Sequence, residues 1–500
     1  MAPARSRPIA LAARLAAAIL LAAGVASPDA GAEVAEGRSP ELQAAARALS
    51  SDRSFKDASI SIAIVDVDSG RMLAAEGEHT ALNPASNAKL YTAAVALATL
   101  HGDHRFETTL AGTLKGSTVV GSIALRGFGD PSLGTSDLWS LVAELKAEGV
   151  TKITGDILVD QRFFDEQTTP PAFEQQPNEW AAFRAPVSAV AVNENTLTLT
   201  VRPTSVGSAA LSSFEPPGFV DVEGEVKTAD SGADTVGLAL SPSGRRMSAK
   251  LSGSVSADAR LVRYARRVED PTLLAGYVLR ALLDDAQIKV QGEVKAGSLK
   301  RATVLARHQS PPLAELLFAL GKQSDNFYAE MIFKSLGGEA KAHPAKSADG
   351  ATLVTQWLDR VGANDTGVVI KNGSGLFDSN RVTAASIVAL LRAAYRDPAI
   401  MPEFVAQLSI GGVDGTLKNR FHTEKTRRAV RAKTGTLDDA IALGGYVLGP
   451  PAQGPGHGTI AFSILFNKVP GKAYGARSAA DKLVELVAEK LWEAEKTRAK

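Results

Sequence analysis

Ser86, Lys89, Ser324, Asn326 and Lys433 are the residues whose types and spacing carry chemistry. They fall in three short motifs in a fixed order, Ser86-Asn87-Ala88-Lys89, Ser324-Asp325-Asn326 and Lys433-Thr434-Gly435. A serine hydroxyl is a poor nucleophile until a base takes its proton, and a lysine three residues on supplies that base without histidine. No one motif decides the matter, because Ser-x-x-Lys recurs by chance in a chain this rich in both residues. Here, however, Ser86 is the only serine with lysine three places on, Ser324 is the only serine with asparagine two places on, and Lys-Thr-Gly occurs once. Single copies in the required order point to a nucleophilic serine hydrolase.

The elements around each motif are legible and agree with that reading. Ser59 to Val67 alternates as a strand, Asp68-Ser69-Gly70 turns, and Arg71 to Ala75 returns as a hairpin. Pro84 precedes Ser86, and Leu90, Ala94, Leu97 and Leu100 recur at helical spacing, which sets Ser86 at the first turn of an apolar helix. Lys89 lies one turn along on the same face. Free N–H groups at the helix start favour developing negative charge. Lys89 is a base only when neutral, a form favoured by burial and by nearby positive charge, which Lys433 supplies if the fold brings it close. Taken alone, Ser86 also fits an N-cap and Lys89 a surface residue; the other two motifs tip the balance.

Ser324-Asp325-Asn326 lies between a helix from Pro312 to Leu320 and another from about Phe327 to Leu336, a placement that projects side chains into a cleft. There Ser324 would relay a proton between Lys89 and the leaving group, and the Asn326 amide would hold a substrate carbonyl. Capping of the second helix by Ser324 or Asp325 is the simpler alternative. Lys433-Thr434-Gly435-Thr436 ends a strand beginning near Ala429, with the next strands at Ala440 to Leu448 and Thr459 to Phe466. Glycine on an edge strand lets a substrate backbone approach. Lys433 and Thr434 would offer a charge and a hydroxyl to a terminal carboxylate, and the N–H groups of Ser86 and Thr436 would form an oxyanion hole.

With these motifs the chain resembles the low-molecular-mass penicillin-binding proteins, specifically the D-alanyl-D-alanine carboxypeptidase/endopeptidase group of the penicillin-binding protein 4 type. The resemblance runs from about Ser39 to Leu491. It includes Gly129-Asp130-Pro131-Ser132-Leu133, Gly155-Asp156-Ile157, Ala185 to Ala189 with Asn193-Glu194-Asn195, Gly373-Ser374-Gly375-Leu376 with Asn380-Arg381-Val382, and Gly412 to Leu417. Asn372 stands where that group usually has an aspartate, which bears on any role needing a negative charge at 372 and on none of the three core motifs. The resemblance implies that Ser86 attacks the carbonyl between two D-alanines of a peptidoglycan stem peptide, that D-alanine leaves, and that water hydrolyses the acyl-enzyme. Attack on a cross-link would make the enzyme an endopeptidase. β-Lactam antibiotics, resembling the substrate terminus, should acylate Ser86 and leave slowly. No cofactor and no metal are implied.

Ser86 and Ser324 are 238 positions apart, and Ser324 and Lys433 are 109 apart. The first gap far exceeds one helix and loop, so a module is inserted between nucleophile and relay serine. From about Arg105 to Arg263 short strands alternate with turns, at Phe106–Leu114, Thr118–Arg126, Ile153–Val159, Thr196–Val201, Thr235–Leu240 and Ser248–Ser254. The expected organisation is a signal peptide at 1–32, a first catalytic part at 33–103, an inserted β-rich region at 104–265, and a second catalytic part at 266–500 that opens with a helix from Pro271 to Ala286. The fold class is α+β. The catalytic part is a penicillin-binding, β-lactamase-like antiparallel sheet with helices on both faces. Ala480, Leu483, Val484, Val487 and Leu491 recur at helical spacing in a final helix expected to pack on that sheet.

Arg5, Arg7 and Arg14 precede an apolar stretch, Leu15 to Ala26, followed by small residues at Gly24-Val25-Ala26 and Ala30-Gly31-Ala32. This is the pattern of a cleaved secretory signal and a periplasmic destination; the stretch is short for a retained anchor, which needs ~20 apolar residues. The chain has no cysteine, which excludes disulfides, thiol catalysis and a lipid anchor on cysteine. A formal net charge of +1 argues against a nucleic-acid partner. The basic run Lys425 to Arg431 reads as a solvated loop, with a role near an anionic wall polymer left open. No His-Glu-x-x-His and no Gly-x-Ser-x-Gly occurs, which argues against a zinc peptidase and a histidine-based triad. Two alternatives share the motifs: a serine β-lactamase, and a catalytically idle wall-binding protein.

Overall fold

Two long apolar runs, Ala440–Leu448 and Thr459–Asn467, form the middle of a six-stranded sheet. They are seen in a computed structural model that describes residues 38–232, 234–340, 344–449 and 458–498; the leader expected at 1–32 lies outside these residues. In chain order the strands are β1 (Ser59–Asp66), β2 (Met72–Glu76), β3 (Ser409–Ile410), β4 (Val430–Thr436), β5 (Ala440–Leu448) and β6 (Thr459–Asn467). Across the sheet they run β2-β1-β6-β5-β4-β3, every neighbouring pair antiparallel.

The two central strands, β5 and β6, are mostly apolar because both faces are covered. On one face, helices α1 (Pro40–Ser50) and α5 (Ala473–Arg498) bury Leu42, Leu483 and Val487 against Phe462, Ile464 and Phe466. On the other, α2 (Ala88–Leu100), α3 (Asn326–Ala340) and α4 (Ala384–Arg396) bury Leu90, Ile332 and Ile387 against Ala461 and Leu465. The period-two alternation of β6 thus feeds two separate cores. Helix α2 is buried at every residue from Ala88 to Leu97, so it reads as a central helix and not an amphipathic one. The expected α+β class and the docking of the C-terminal helix are both seen. Among the described residues no helix is long and apolar enough to cross a membrane.

The insertion is built differently from its expectation. A five-stranded sheet runs in the order Val294–Ala296, Ile157–Asp160, Ile123–Gly127, Glu107–Gly112, Thr303–Gln309. The first three strands are parallel and the last two join antiparallel. Parallel neighbours need a crossover, and helix Thr135–Ala147, which the strand-and-turn reading missed, supplies it between Ile123–Gly127 and Ile157–Asp160. Helix Leu274–Asp285 buries Leu274, Val278 and Leu279 in the same core as Ile157 and Val159. This corrects the return to the catalytic part at 266. The helical periodicity was real, but the apolar face is buried on the inserted sheet, to which Thr303–Gln309 also belongs. The chain crosses back at Ser310, whose N–H donates to Phe106 O (2.9 Å) while its hydroxyl accepts from Phe106 N–H (3.0 Å).

Leu279 is fully buried, so Leu279→Ala should cost about 2–5 kcal/mol of stability in denaturant unfolding. If the helix belongs to the inserted core, hydrogen exchange in that variant speeds up in Ile123–Gly127 and Ile157–Asp160, and not in β5 and β6.

Candidate active site

Helix α2 starts from a tight 3-10 turn, Ala85–Asn87, that carries Ser86. Ala85 is in the left-handed region (φ 46°), a conformation that costs a non-glycine residue about 1 kcal/mol or more. Its neighbours hold it there. Ala85 N–H donates to Asn83 Oδ1 (2.9 Å), and Asn83 is tied to the end of β6 by Asn467, whose Oδ1 accepts from Asn83 N–H (2.7 Å) and whose Nδ2 donates to Asn83 O (2.9 Å). Two glycines make room. A Cβ at Gly375 (φ 75°) would overlap the Ala85 carbonyl oxygen, and one at Gly435 would sit 2.8 Å from Pro84 O and 3.0 Å from Ala85 Cβ. Gly435, read from sequence as space for substrate, is required by the turn of Ser86 itself. Asn87 is fully buried behind that turn; in the amide orientation that satisfies both partners it donates to Lys433 O (2.8 Å) and accepts from Gly444 N–H (3.2 Å).

Lys89 Nζ lies 3.2 Å from Ser86 Oγ, 2.8 Å from Asn326 Oδ1 and 2.7 Å from the Ser374 carbonyl oxygen. The last two are acceptors only. A neutral amine has two N–H bonds and one lone pair; with both hydrogens committed to Asn326 and Ser374, the lone pair is left for the Ser86 hydroxyl. Burial lowers Lys89 to about 7, against the opposing charges of Glu330 and Asp325. Neutral lysine is therefore available near neutral pH.

Ser324 stands in the left-handed region (φ 63°, ψ 31°) at the end of an irregular turn, Ala319–Gln323. Asp325, not Ser324, does the capping: its Oδ1 accepts from Tyr328 N–H (2.9 Å). That leaves Ser324 Oγ to accept from Lys433 Nζ (2.8 Å), which also donates to Thr434 O (2.9 Å). Lys433 is fully buried, and burial, then the charge of Lys89, holds it well below the usual lysine range. Strand β3 pairs only with Arg431 and Ala432, so β4 from Lys433 onward has an open edge. Along it, Thr434 hydroxyl donates to Thr416 Oγ1 (2.9 Å) and exposed Thr436 accepts from Arg477 Nη2 (3.1 Å).

Of the eight residues singled out from sequence, Ser86, Lys89 and Asn326 are thus joined by hydrogen bonds, Ser324 and Lys433 by another, and Thr434, Gly435 and Thr436 continue the strand of Lys433. Sequence reasoning missed the Ser374 carbonyl, Glu330, Arg477, and a contribution from the insertion: Asn326 Nδ2 donates to Phe183 O (3.1 Å). Asn372 proves to be a buried cross-link. Its Nδ2 lies within hydrogen-bond reach of Pro171 O (2.9 Å) and Ser379 Oγ (3.0 Å), and its Oδ1 accepts from Gly375 N–H (2.9 Å) and Asn380 Nδ2 (3.0 Å). An aspartate would have no donor for Pro171 O, so the neutral amide suits the loop that carries Ser374.

The family model of the D-Ala-D-Ala carboxypeptidase 3 (S13) family matches residues 42–490. A D-alanyl-D-alanine carboxypeptidase of Actinomadura sp. (strain R39) is 33% identical over 462 residues, covering 88% of this chain and 84% of that protein. The D-alanyl-D-alanine carboxypeptidase DacB of Haemophilus influenzae is 25% identical, covering 76% and 81%. The crystal structure of penicillin-binding protein 4 (dacB) from Haemophilus influenzae shares the fold, with TM-score 0.72, 23% identity, and coverage of 85% of this chain and 93% of that one. The chain belongs to the D-Ala-D-Ala carboxypeptidase 3 (S13) family and is a serine-type D-alanyl-D-alanine carboxypeptidase.

Proposed function

We propose that Ser86 is the nucleophile and Lys89 its base in an enzyme that trims peptidoglycan stem peptides in the periplasm. One observation carries this reading: the amine of Lys89 has two acceptor-only partners and its third direction on Ser86 Oγ. Lys89 takes the hydroxyl proton as Ser86 Oγ bonds to the carbonyl carbon between two D-alanines. The oxyanion is held by the N–H groups of Ser86 and Thr436. Ser324, hydrogen-bonded to Lys433, passes a proton to the departing amine, D-alanine leaves, and water then cleaves the ester by the same groups in reverse.

The substrate lies along the open edge of β4, its terminal carboxylate against Thr434, Thr436 and Lys433, and its amide carbonyl against Asn326. Burial and Lys89 disfavour the charged form of Lys433 in the free enzyme. An arriving carboxylate restores it, so a free carboxyl terminus is favoured over an amide. β-Lactams carry a carboxylate beside a reactive amide and should acylate Ser86. A cross-linked peptide presented on the same edge would be cut as an endopeptidase substrate. Intact Ser86, Lys89 and Asn326 joined by hydrogen bonds, with Ser324 bonded to Lys433, weigh against an idle wall-binding protein.

Ser86→Ala should lower D-alanine release from a stem-peptide substrate by at least about a thousandfold with unchanged thermal unfolding; retained release would remove Ser86 from the mechanism. Because Lys89 acts when neutral and loses its proton at about 7, kcat/KM should rise with pH through about 7 and level off above it. A profile flat across that range would contradict lysine as the base.

A further inference from the structure

Glu330 is fully buried, carries a charge that no motif accounts for, and faces the backbone that faces the base. It lies four residues after Asn326 in α3, so both side chains share one face of the helix. Its carboxylate accepts from Gly373 N–H (3.2 Å), Ser374 N–H (2.8 Å) and the Ser374 hydroxyl. Burial raises the pKa of this carboxyl, and the three donors together with the charge of Lys89 oppose that and favour its ionised form. The same peptide is held from the other side, where Thr92 hydroxyl donates to Gly373 O (2.8 Å). What this clamp fixes is the Ser374 carbonyl, 2.7 Å from Lys89 Nζ.

Resting on the reading of Lys89 as base, we infer that Glu330 is a positioning residue for that base. Its carboxylate holds the Ser374 carbonyl where it occupies one N–H of Lys89, and its negative charge beside the amine sets how readily the lysine keeps its third proton. The two halves are linked. A carboxylate is the side chain that accepts from two adjacent backbone N–H groups and a hydroxyl at once, and placing it there puts a negative charge next to the amine. Burial alone would make Lys89 too reluctant to carry the proton taken from Ser86. Glu330 and, more weakly, Asp325 oppose burial. Asp325 is itself raised by burial, beside Glu194 from the insertion, which burial and Asp325 raise in turn. Glu330 is the member of this set that is both fully buried and hydrogen-bonded to the loop that binds Lys89.

The test is the pH dependence of acylation by a chromogenic cephalosporin, and of D-alanine release, in wild type, Glu330→Gln and Lys89→Met. Removing the charge makes Lys89 harder to protonate, so the acid limb of kcat/KM in Glu330→Gln should move toward lower pH by about one unit. The plateau should fall, because the amide accepts fewer N–H bonds than the carboxylate. A clamp with only a structural role would lower the rate at every pH and leave the midpoint in place, and that result would overturn the inference. Lys89→Met separates the two levels: if it retains activity, the base assignment itself fails, whereas an inactive Lys89→Met with an unshifted Glu330→Gln rejects the role of Glu330 alone. Should Glu330→Gln not fold, carbon-13 NMR of glutamate-labelled wild type answers the same question. One carboxylate resonance should respond at the midpoint of the rate profile and lose that response in Lys89→Met; if none does, the inference is wrong.

Discussion

The structure depends on keeping a lysine amine out of water with its hydrogens already assigned. An amine buried without partners would be costly, and one paired only with carboxylates would hold its proton too tightly to act as a base. Lys89 avoids both. Its main partners are an amide oxygen from α3 and a backbone carbonyl from the loop at 372–376, with Ser86 completing the set. Neutral acceptors satisfy the N–H groups without the full pull of a charge, and Glu330 acts from one bond further away. Three distant parts of the chain must therefore meet within hydrogen-bond distance of one nitrogen, and the double-faced sheet is the frame that brings them there.

That demand explains features that otherwise look unrelated. Helix α2 is buried nearly all round because it is clamped between the sheet and helix α3, which carries both Asn326 and Glu330. The glycines at 375 and 435 are set by the strained turn of Ser86. The insertion is not a passive appendage. Its segment near 171–183 supplies carbonyls to Asn372 and Asn326, and Gln175 exchanges hydrogen bonds with the backbone of Asp378 (3.1 and 3.2 Å). The loop carrying Ser374 and the Asn326 amide are thus braced by a segment more than a hundred residues away in sequence.

The residues proposed to do the chemistry were legible because side-chain reactivity is written in residue type, and the hairpin β1–β2, helix α2 and helix α5 were legible because each has a clean period. What escaped had no such signature. The acceptor at Ser374 is a backbone carbonyl, which every residue has. Helix Leu274–Asp285 shows its periodicity in sequence, but a period does not say which sheet the face is buried on, so the insertion was closed more than forty residues early. Helix Thr135–Ala147 carries Leu138, Leu141, Val142 and Leu145 on one side and was obscured by the short strands around it. Glu330 had a usable signal, the four-residue spacing from Asn326, but an acid on a helix ordinarily reads as solvent-facing.

The central claim, that Lys89 is neutral at the pH where the enzyme works, is tested most directly by nitrogen-15 NMR of lysine-labelled protein, with the Lys89 Nζ resonance assigned by its loss in Lys89→Met. The account predicts deprotonation with a midpoint at about 7. An Nζ that stays an ammonium to about pH 9, as an unperturbed lysine would, would contradict it.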